Sequence, residues 1–324
     1  MKFKFHASDS STTKIISSKK LHKQIFNNKT KFIVFILFIL LVVITLVAGC
    51  KKYSDLKTAA GSIYRKETHK QLRDPSSRIK ANKPVSILLL GTDTGALGRN
   101  YKGRTDTIIV ATLNVKKRTM TLTSIPRDTY IETSSSSEKI NAVYDKNGPD
   151  GTVEAVQHLL NVPIDYYALV NMGGLRKTID EIGGIDLKPN LTFKYGHVDV
   201  KKNVSIHLNG NEALDYTRMR YQDPEGDYGR QQRQKQVIVS ILKKSNRLSS
   251  LLKQSFLKQL EKEIQTDMNF DVLKNLKVNY HVATHHLKST HLQGQGETID
   301  GSSYEVIPGE EISRVHDFIS SSLK

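Results

Sequence analysis

The sequence predicts an α/β domain with a mixed central sheet, carried behind one N-terminal membrane helix. Three observations predict it. Short apolar runs alternate with helical segments from residue 85 to the C-terminus. Two of those runs are separated by only four residues, which sets an antiparallel hairpin into the sheet. Ahead of them all lies an eighteen-residue run without a charge or a proline.

The chain has 324 residues, 38% apolar and 25% charged, which excludes a fully disordered protein. It shows no Gly-X-Y period, heptad run or longer repeat, so collagen, coiled coils and solenoids are excluded. Its one cysteine, Cys50, excludes an intramolecular disulfide and a Cys-based zinc site. The net charge of +17 points to an anionic partner: nucleic acid, membrane surface or phosphorylated substrate.

The position of that charge decides its reading. Residues 1–31 hold eight Lys and one Asp, a charge of +7 in a Ser- and Lys-rich tail that is expected to be disordered. Phe32 to Gly49, FIVFILFILLVVITLVAG, follows it. At about 1.5 Å per residue this run just crosses a bilayer core of about 30 Å. It lacks the polar face that a soluble helix of this length shows, so a single membrane span is expected. Six Lys precede it within twenty residues and five Lys/Arg follow within twenty, a weak bias. The long basic tail favours a cytoplasmic N-terminus and an external domain. Val47-Ala48-Gly49-Cys50 resembles a lipoprotein cleavage box, but a 31-residue tail is long for such a signal. An uncleaved signal anchor is therefore preferred to lipidation at Cys50, and either outcome puts the domain on a membrane. Residues 50–83 are polar, with a turn at Arg73-Asp74-Pro75-Ser76-Ser77, and read as a stalk, partly helical over 53–72.

The outer domain is expected over 84–324. Val85–Leu90, bounded by Pro84 and Gly91, reads as a buried strand. Thr107–Asn114 and Thr119–Ile125 form the hairpin through Val115-Lys116-Lys117-Arg118. Val153–Leu160 reads as a helix and Tyr166–Asn171 as a strand. Gly173–Ile182 is a helix stopped by Gly183-Gly184. Further helices are expected over 230–245, 247–264 and 309–322.

Polar residues gather at the strand ends. Asp93 follows the first strand, Arg104-Thr105-Asp106 precedes the second, and Arg127-Asp128 follows the third. With Lys116-Lys117 as the turn, Val115 faces Arg118 and Asp106 faces Arg127. If the first strand runs parallel to the third, Asp93 emerges at the same sheet edge, where sites of open α/β sheets form. Arg218 and Arg220 are two apart and would share a face of a strand. The next helix, with Asp227 as its expected N-cap, carries Arg230, Gln234, Val237 and Ile241 on one stripe, with Arg233 at its edge. An Arg beside Val and Ile faces the core or its rim and needs an anion, from the protein or from a ligand.

Each of these residues has a plainer explanation when taken alone. Asp93 suits a turn, Arg104 and Asp106 a surface ion pair, and the four later Arg suit pairing with Asp223, Glu225 and Asp227. Gly91–Gly95 lacks the Gly-Lys-Ser/Thr ending of a P-loop. His281, His285, His286 and His291 have no metal-ligand spacing and are expected at the surface.

Together the runs ILLLGTD (87–93), RTDTIIVATLN (104–114), TSIPRDTY (123–130), KINAVY (139–144), VPIDYYALVNMGGLRKTIDEIGGIDL (162–187), ALDYTRMRY and GDYGRQQRQ resemble the LytR-CpsA-Psr family, in order over roughly residues 85–245. The resemblance implies a three-layer α/β/α fold with an apolar pocket for a polyprenyl chain. It implies a cell-wall phosphotransferase moving a glycopolymer, such as wall teichoic acid or capsule, from undecaprenyl pyrophosphate to peptidoglycan. By motif, Asp93 and Asp106 correspond to magnesium-associated aspartates, with Mn²⁺ as an alternative ion. Arg104, Arg127, Arg218, Arg220, Arg230, Arg233 and Gln234 correspond to pyrophosphate contacts, and Asp93, Asp106 and Arg127 are the expected catalytic residues. Lys235 replaces the second Gln that the family often carries, and the lipobox-like Val-Ala-Gly-Cys is a second departure.

Arginine supplies forked donors to phosphate oxygens, which suits such chemistry without the family name. Candidate lining for the apolar pocket lies in 153–160, 166–171 and 174–182. Rival readings are a hydrolase acting on the same lipid pyrophosphate with water as acceptor, a membrane-bound regulator, and a non-catalytic glycolipid-binding module. A span between tail and domain, and no helix-turn-helix or finger signature, speak against nucleic acid as partner.

Overall fold

A computed structural model describes residues 54–55, 57–58, 60–94, 103–132, 137–244 and 261–324. Leu56–Lys324 form one compact unit; of the other, Met1–Asp55, only residues 54 and 55 are described. The expected basic tail, membrane helix and Cys50 lie outside the described residues, as does most of the expected 247–264 helix. Among the described residues no helix is long and apolar enough to cross a membrane.

The centre is a six-stranded mixed sheet. Its strands are β1 (Val85–Thr92), β2 (Thr105–Asn114), β3 (Thr119–Ser124), β6 (Tyr166–Asn171), β11 (Ile264–Thr266) and β12 (His286–His291), in the order β11-β6-β1-β2-β3-β12. Two strand pairs lie between β3 and β6 and between β6 and β11: β4 (Tyr130–Glu132) with β5 (Ser137–Lys139), and β8 (Phe193–Tyr195) with β9 (Val198–Val200). β7 (Ile185–Leu187) pairs with β10 (Ile206–Leu208), and β13 (Gln295–Ile299) with β14 (Ser302–Val306).

The β2–β3 hairpin has the expected register, with Asn114 facing Thr119 and Ile109 facing Ser124. β1 is antiparallel to β2 and so runs in the direction of β3, while β6 lies parallel to β1. The ends of β1, β3 and β6 therefore share one sheet edge.

Strand alternation splits the core into two layers. Leu88, Leu90, Ile108 and Val110 pack under α2 (Ile140–Leu160) and α7 (Gly309–Ser322). Ile109, Ala111, Met120 and Leu122 point the other way, toward Ile238, Val239 and Leu242 of α5 (Gly226–Lys243). On that second face also lie α3 (Met172–Glu181), α4 (Gly210–Arg218) and α6 (Phe270–Asn279). The sheet is thus flanked by helices on both faces.

Three expectations change. α2 begins at Ile140 rather than Val153, because Gly148 bends the chain at φ 65° and Pro149 opens a second helical stretch. Pro and Gly read from sequence as a break; here they join two helical segments across a kink at Gly148. Arg218 ends helix α4 instead of lying on a strand with Arg220. Asp227 lies in the first turn of α5, whose N-cap is Glu225.

The segment read as a stalk is docked over much of its length. α1 (Pro75–Lys80) is capped by Asp74, whose carboxylate accepts from Ser76 N at 2.9 Å, and it buries Ile79. Arg73 grips the fully buried Asp165 with two nitrogens, one of them at 2.7 Å, while Asp165 also accepts from Ser86 N at 2.7 Å. Tyr64 bridges to Thr266 at the β11 edge. The polar composition that suggested a free tether instead supplies partners for buried domain groups.

Asp267 is a second buried carboxyl, 5% exposed, and accepts from Tyr167 N at 2.8 Å. Burial raises its pKa to about 8. The unfolded group ionises near the ordinary value of 3.8. Stability from the neutral carboxyl is complete below that value and is lost as pH rises toward 8, at about 1.4 kcal/mol per pH unit. Asp267→Asn keeps the acceptor without the charge. It is expected to raise the melting temperature at pH 8 and to match the wild type at pH 4, as read by calorimetry across that range.

Candidate active site

The expected residues come from four parts of the chain and meet at the sheet edge. In the β1–β2 ladder Gly91 faces Thr107 but Thr92 faces Thr105, so Asp106 is the extra residue of a β-bulge. A bulge re-aims one side chain, and Asp106 is turned to the cavity side although alternation alone would place it opposite Thr107. Arg127, just past β3, donates through Nη1 to Asp106 Oδ1 at 2.6 Å. Asp93 emerges one residue beyond β1. A Cβ on Gly103 would clash with Asp93 Oδ1, so glycine there lets the carboxylate approach the incoming chain.

These groups open onto a cavity of about 1550 Å³ on the α5 face of the sheet. Arg104, Arg127, Lys139, Arg218, Arg220 and Arg230 line its charged end together with Asp93, Asp106 and Asp128, and Lys277 of α6 is a seventh cationic side chain on the wall. Gln234, Val237 and Ile241 line it too, so the stripe of α5 faces the cavity as its spacing predicted. Beyond the charged end the walls are apolar: Ile87, Leu89, Leu113 and Met120 below, Leu175, Ile238 and Leu273 around. From Ile87 to Asp93 the floor runs six residue steps, roughly 20 Å at about 3.3 Å each. The volume exceeds the roughly 300–1,000 Å³ of ordinary small-molecule sites.

The positive charge at this end is incompletely balanced. Burial disfavours the Arg127 charge, but Asp106, then Asp128 and Asp227, outweigh it, and the Arg127 pKa is raised. Arg230, with its side chain 8% exposed, pairs with Asp227 at 2.7 Å. There burial wins: it lowers the Arg230 pKa, Asp227 opposes it, and nearby Arg127 adds to it. An anion entering the cavity would offset that cost.

Arg233 departs from the expectation. It is fully buried behind the cavity wall, where its guanidinium holds Asp223, the carbonyl of Met219 and, at 3.1 Å, that of Tyr216. One helical step beyond Gln232, it points to the α4–α5 junction and has no nitrogen left for a ligand. The expected lining from 153–160 also changes: Val153, Val156 and Leu160 lie in the core on the opposite face. Ala168 and Val170 of β6 and Leu175 of α3 do line the cavity. His281 lines the cavity as well, while His285 and His286 are exposed and His291 is half-buried.

Asp128, seen from sequence only as a polar strand-end residue, and Lys139 were given no site role there, yet both line the cavity. β4–β5 pairing sets Tyr130 against Lys139, and Lys139 Nζ then reaches Asp128 Oδ1 at 2.9 Å. Asp128 Oδ2 lies 3.5 Å from Arg127 Nε, so the pair buttresses Arg127. A lysine directly before a helical run gives no sequence signal of this, because the contact depends on the strand pairing.

Fold and site together define a member of the LytR-CpsA-Psr family: the family model matches residues 47–319, and the chain belongs to it. Among relatives, the polyisoprenyl-teichoic acid–peptidoglycan teichoic acid transferase TagU of Enterococcus faecalis is 37% identical over 294 residues, 90% of this chain and 96% of that one. The crystal structure of Bacillus subtilis TagU aligns with a TM-score of 0.60 at 36% identity, covering 75% of this chain and 97% of that one. Protein gbs0355 of Streptococcus agalactiae aligns at a TM-score of 0.68 and 33% identity, covering 78% and 91%.

The division between clamp and scaffold is testable. Arg233→Ala leaves Asp223 buried without its partner and is expected to cost about 3–5 kcal/mol. Half-buried Arg220→Ala is expected to stay within about 0.5 kcal/mol of wild type. Urea unfolding of both variants measures the difference.

Proposed function

We propose that this chain transfers an anionic glycopolymer of teichoic-acid or capsule type from undecaprenyl pyrophosphate to peptidoglycan. In this reading residues 32–49 anchor it in the cell membrane, with the N-terminus cytoplasmic and the domain outside. One observation carries the proposal: a single cavity that is densely cationic at one end and mainly apolar over the rest of its length. A lipid-linked pyrophosphate has both characters in one molecule. The transferase names borne by relatives of similar length support the same reaction.

The acceptor hydroxyl oxygen attacks the phosphorus that bears the glycopolymer. A new P–O bond forms, the bond to the bridging oxygen breaks, and its electron pair leaves on the lipid phosphate. The hydroxyl proton passes to one of the two carboxylates at this end of the cavity, Asp93 or Asp106. Charge builds on the phosphoryl oxygens and on the leaving phosphate, so positioning and fixed positive charge are the main demands. Arg127, Arg218, Arg220 and Arg230 meet them as forked donors, with Arg104 and Gln234 at the margin. The apolar walls hold the polyprenyl chain and keep the head group in register with these donors.

The donor set also suits a divalent cation. Asp93 and Asp106 are hard oxygen ligands brought to one cavity by adjacent strands. Among the described residues no group of three or more His, Cys, Asp or Glu could hold a metal ion by itself. Mg²⁺ needs only one or two carboxylates beside phosphate oxygens and water, and Mn²⁺ is the alternative. Bound there, the ion would neutralise phosphate charge.

Arg127→Ala and Arg220→Ala are each expected to lower glycopolymer transfer by about 10²-fold or more, the loss typical of one such donor. The measurement is product analysis with purified protein, lipid-linked donor and peptidoglycan fragments. Release of free glycopolymer phosphate at equal rate with and without the fragments would point to a hydrolase instead.

A further inference from the structure

A second cavity of about 500 Å³ meets the large one at the sheet edge. Thr92, Asn171 and Ile264 line both. Part of its wall lies on the other face of the sheet: Leu169 belongs to the core layer under α2, Gln265 pairs with Leu169 across the ladder, and Tyr144 is on α2 itself. The two cavities therefore approach the end of β1, and hence Asp93, from opposite sides.

The edge has a definite order. From the β11 side it runs Glu263, Asn171, Asp93, Asp106, Arg127, following the strand order of the sheet. The cations that suit a pyrophosphate cluster on the β2–β3 side, and the second cavity opens on the β11–β6 side. Displacement at phosphorus places the attacking and leaving oxygens roughly in line. With the leaving lipid phosphate held on one side of Asp93, the attacking hydroxyl comes from the other.

The walls match a sugar rather than a lipid or a simple anion. Tyr144 offers a ring, Gln265 and Asn171 amides, and Thr94 a hydroxyl 3.1 Å from that of Thr92. Arg65 and Lys262 stand beside Glu261 and Glu263, so charge of both signs is present. Glu263 holds Lys177 through Oε1 at 2.6 Å, while Oε2 is buried with no hydrogen-bond partner among the described residues. A glycan hydroxyl would satisfy that oxygen.

We propose that this second cavity is the acceptor subsite, binding the peptidoglycan sugar whose hydroxyl attacks the donor. It rests on the transferase reading above, and it adds the direction from which the acceptor enters.

The test uses the full chain in detergent, a soluble disaccharide-peptide fragment of peptidoglycan, and a short-chain polyprenyl-pyrophosphate-linked amino sugar as donor. Tyr144→Leu keeps an apolar side chain on α2 and removes the ring; Lys262→Met keeps length at an exposed lining position and removes the ammonium. Each is expected to weaken fragment binding, read by saturation-transfer NMR, and to raise the acceptor KM by about tenfold, the order of one lost polar contact. Donor Kd is expected to stay within about twofold, with unchanged melting temperature excluding misfolding. Wild-type fragment binding and KM in both variants would overturn the subsite, as would a donor Kd that weakens in step with KM, which would give the cavity to the donor's own sugar. Fragment binding that the variants weaken, in a wild type that performs no transfer, would uphold the subsite and sink the transferase reading.

Discussion

Arg127 and Asp106 face each other from neighbouring strands, and the charged end of the cavity is built outward from that pair. The β2–β3 register brings their strands together, and the bulge in β2 turns Asp106 to the same side. Once Arg127 is fixed there, Asp128 braces it from the next residue and Lys139 braces Asp128. Asp227 lies 3.9 Å from Arg127 Nε while holding Arg230 at 2.7 Å, which ties the N-terminus of α5 to the hairpin. A slip of one residue in the hairpin would send Arg127 to the opposite face and separate all of these groups.

Such an arrangement concentrates like charges where water is scarce, which costs stability unless anions compensate. The protein supplies part of the compensation. Asp106, Asp128 and Asp227 more than restore Arg127, whereas Arg230 stays under-compensated. The remaining deficit is what makes the site attractive to a phosphate-bearing ligand. Arg233 shows the contrasting solution: the same residue type, one turn away, is fully satisfied by Asp223 and two carbonyls and serves the fold.

The sheet separates two environments that the proposed reaction needs. One face is left partly open, so that Ile87, Leu89 and Leu113 line a long apolar channel while clustering with Ile79 of α1 and Val272 of α6. The other face is closed by α2 and α7, except at the edge where Tyr144 and Leu169 line the smaller polar cavity. Both reach the edge at Thr92 and Asn171, and the carboxylate that follows β1 stands between them.

Much of this was legible in the sequence where local pattern carries the information. The apolar runs, the four-residue hairpin link and the Gly183-Gly184 stop gave the strands, the register and the end of α3, because turn chemistry and period are local. The α5 stripe of Arg230, Gln234, Val237 and Ile241 was likewise set by helical spacing alone. What depends on partners distant in the chain was not legible. The bulge that turns Asp106, the inward swing of Arg233, the Asp128–Lys139 brace and the docking of Arg73 onto Asp165 each join residues whose adjacency only the packed sheet and helices create. Leu88, which is buried in the core, and Leu89, which lines the cavity, read identically as apolar strand residues. Which one faces a cavity is decided by how closely the helices above approach, and that distance is a property of the tertiary structure.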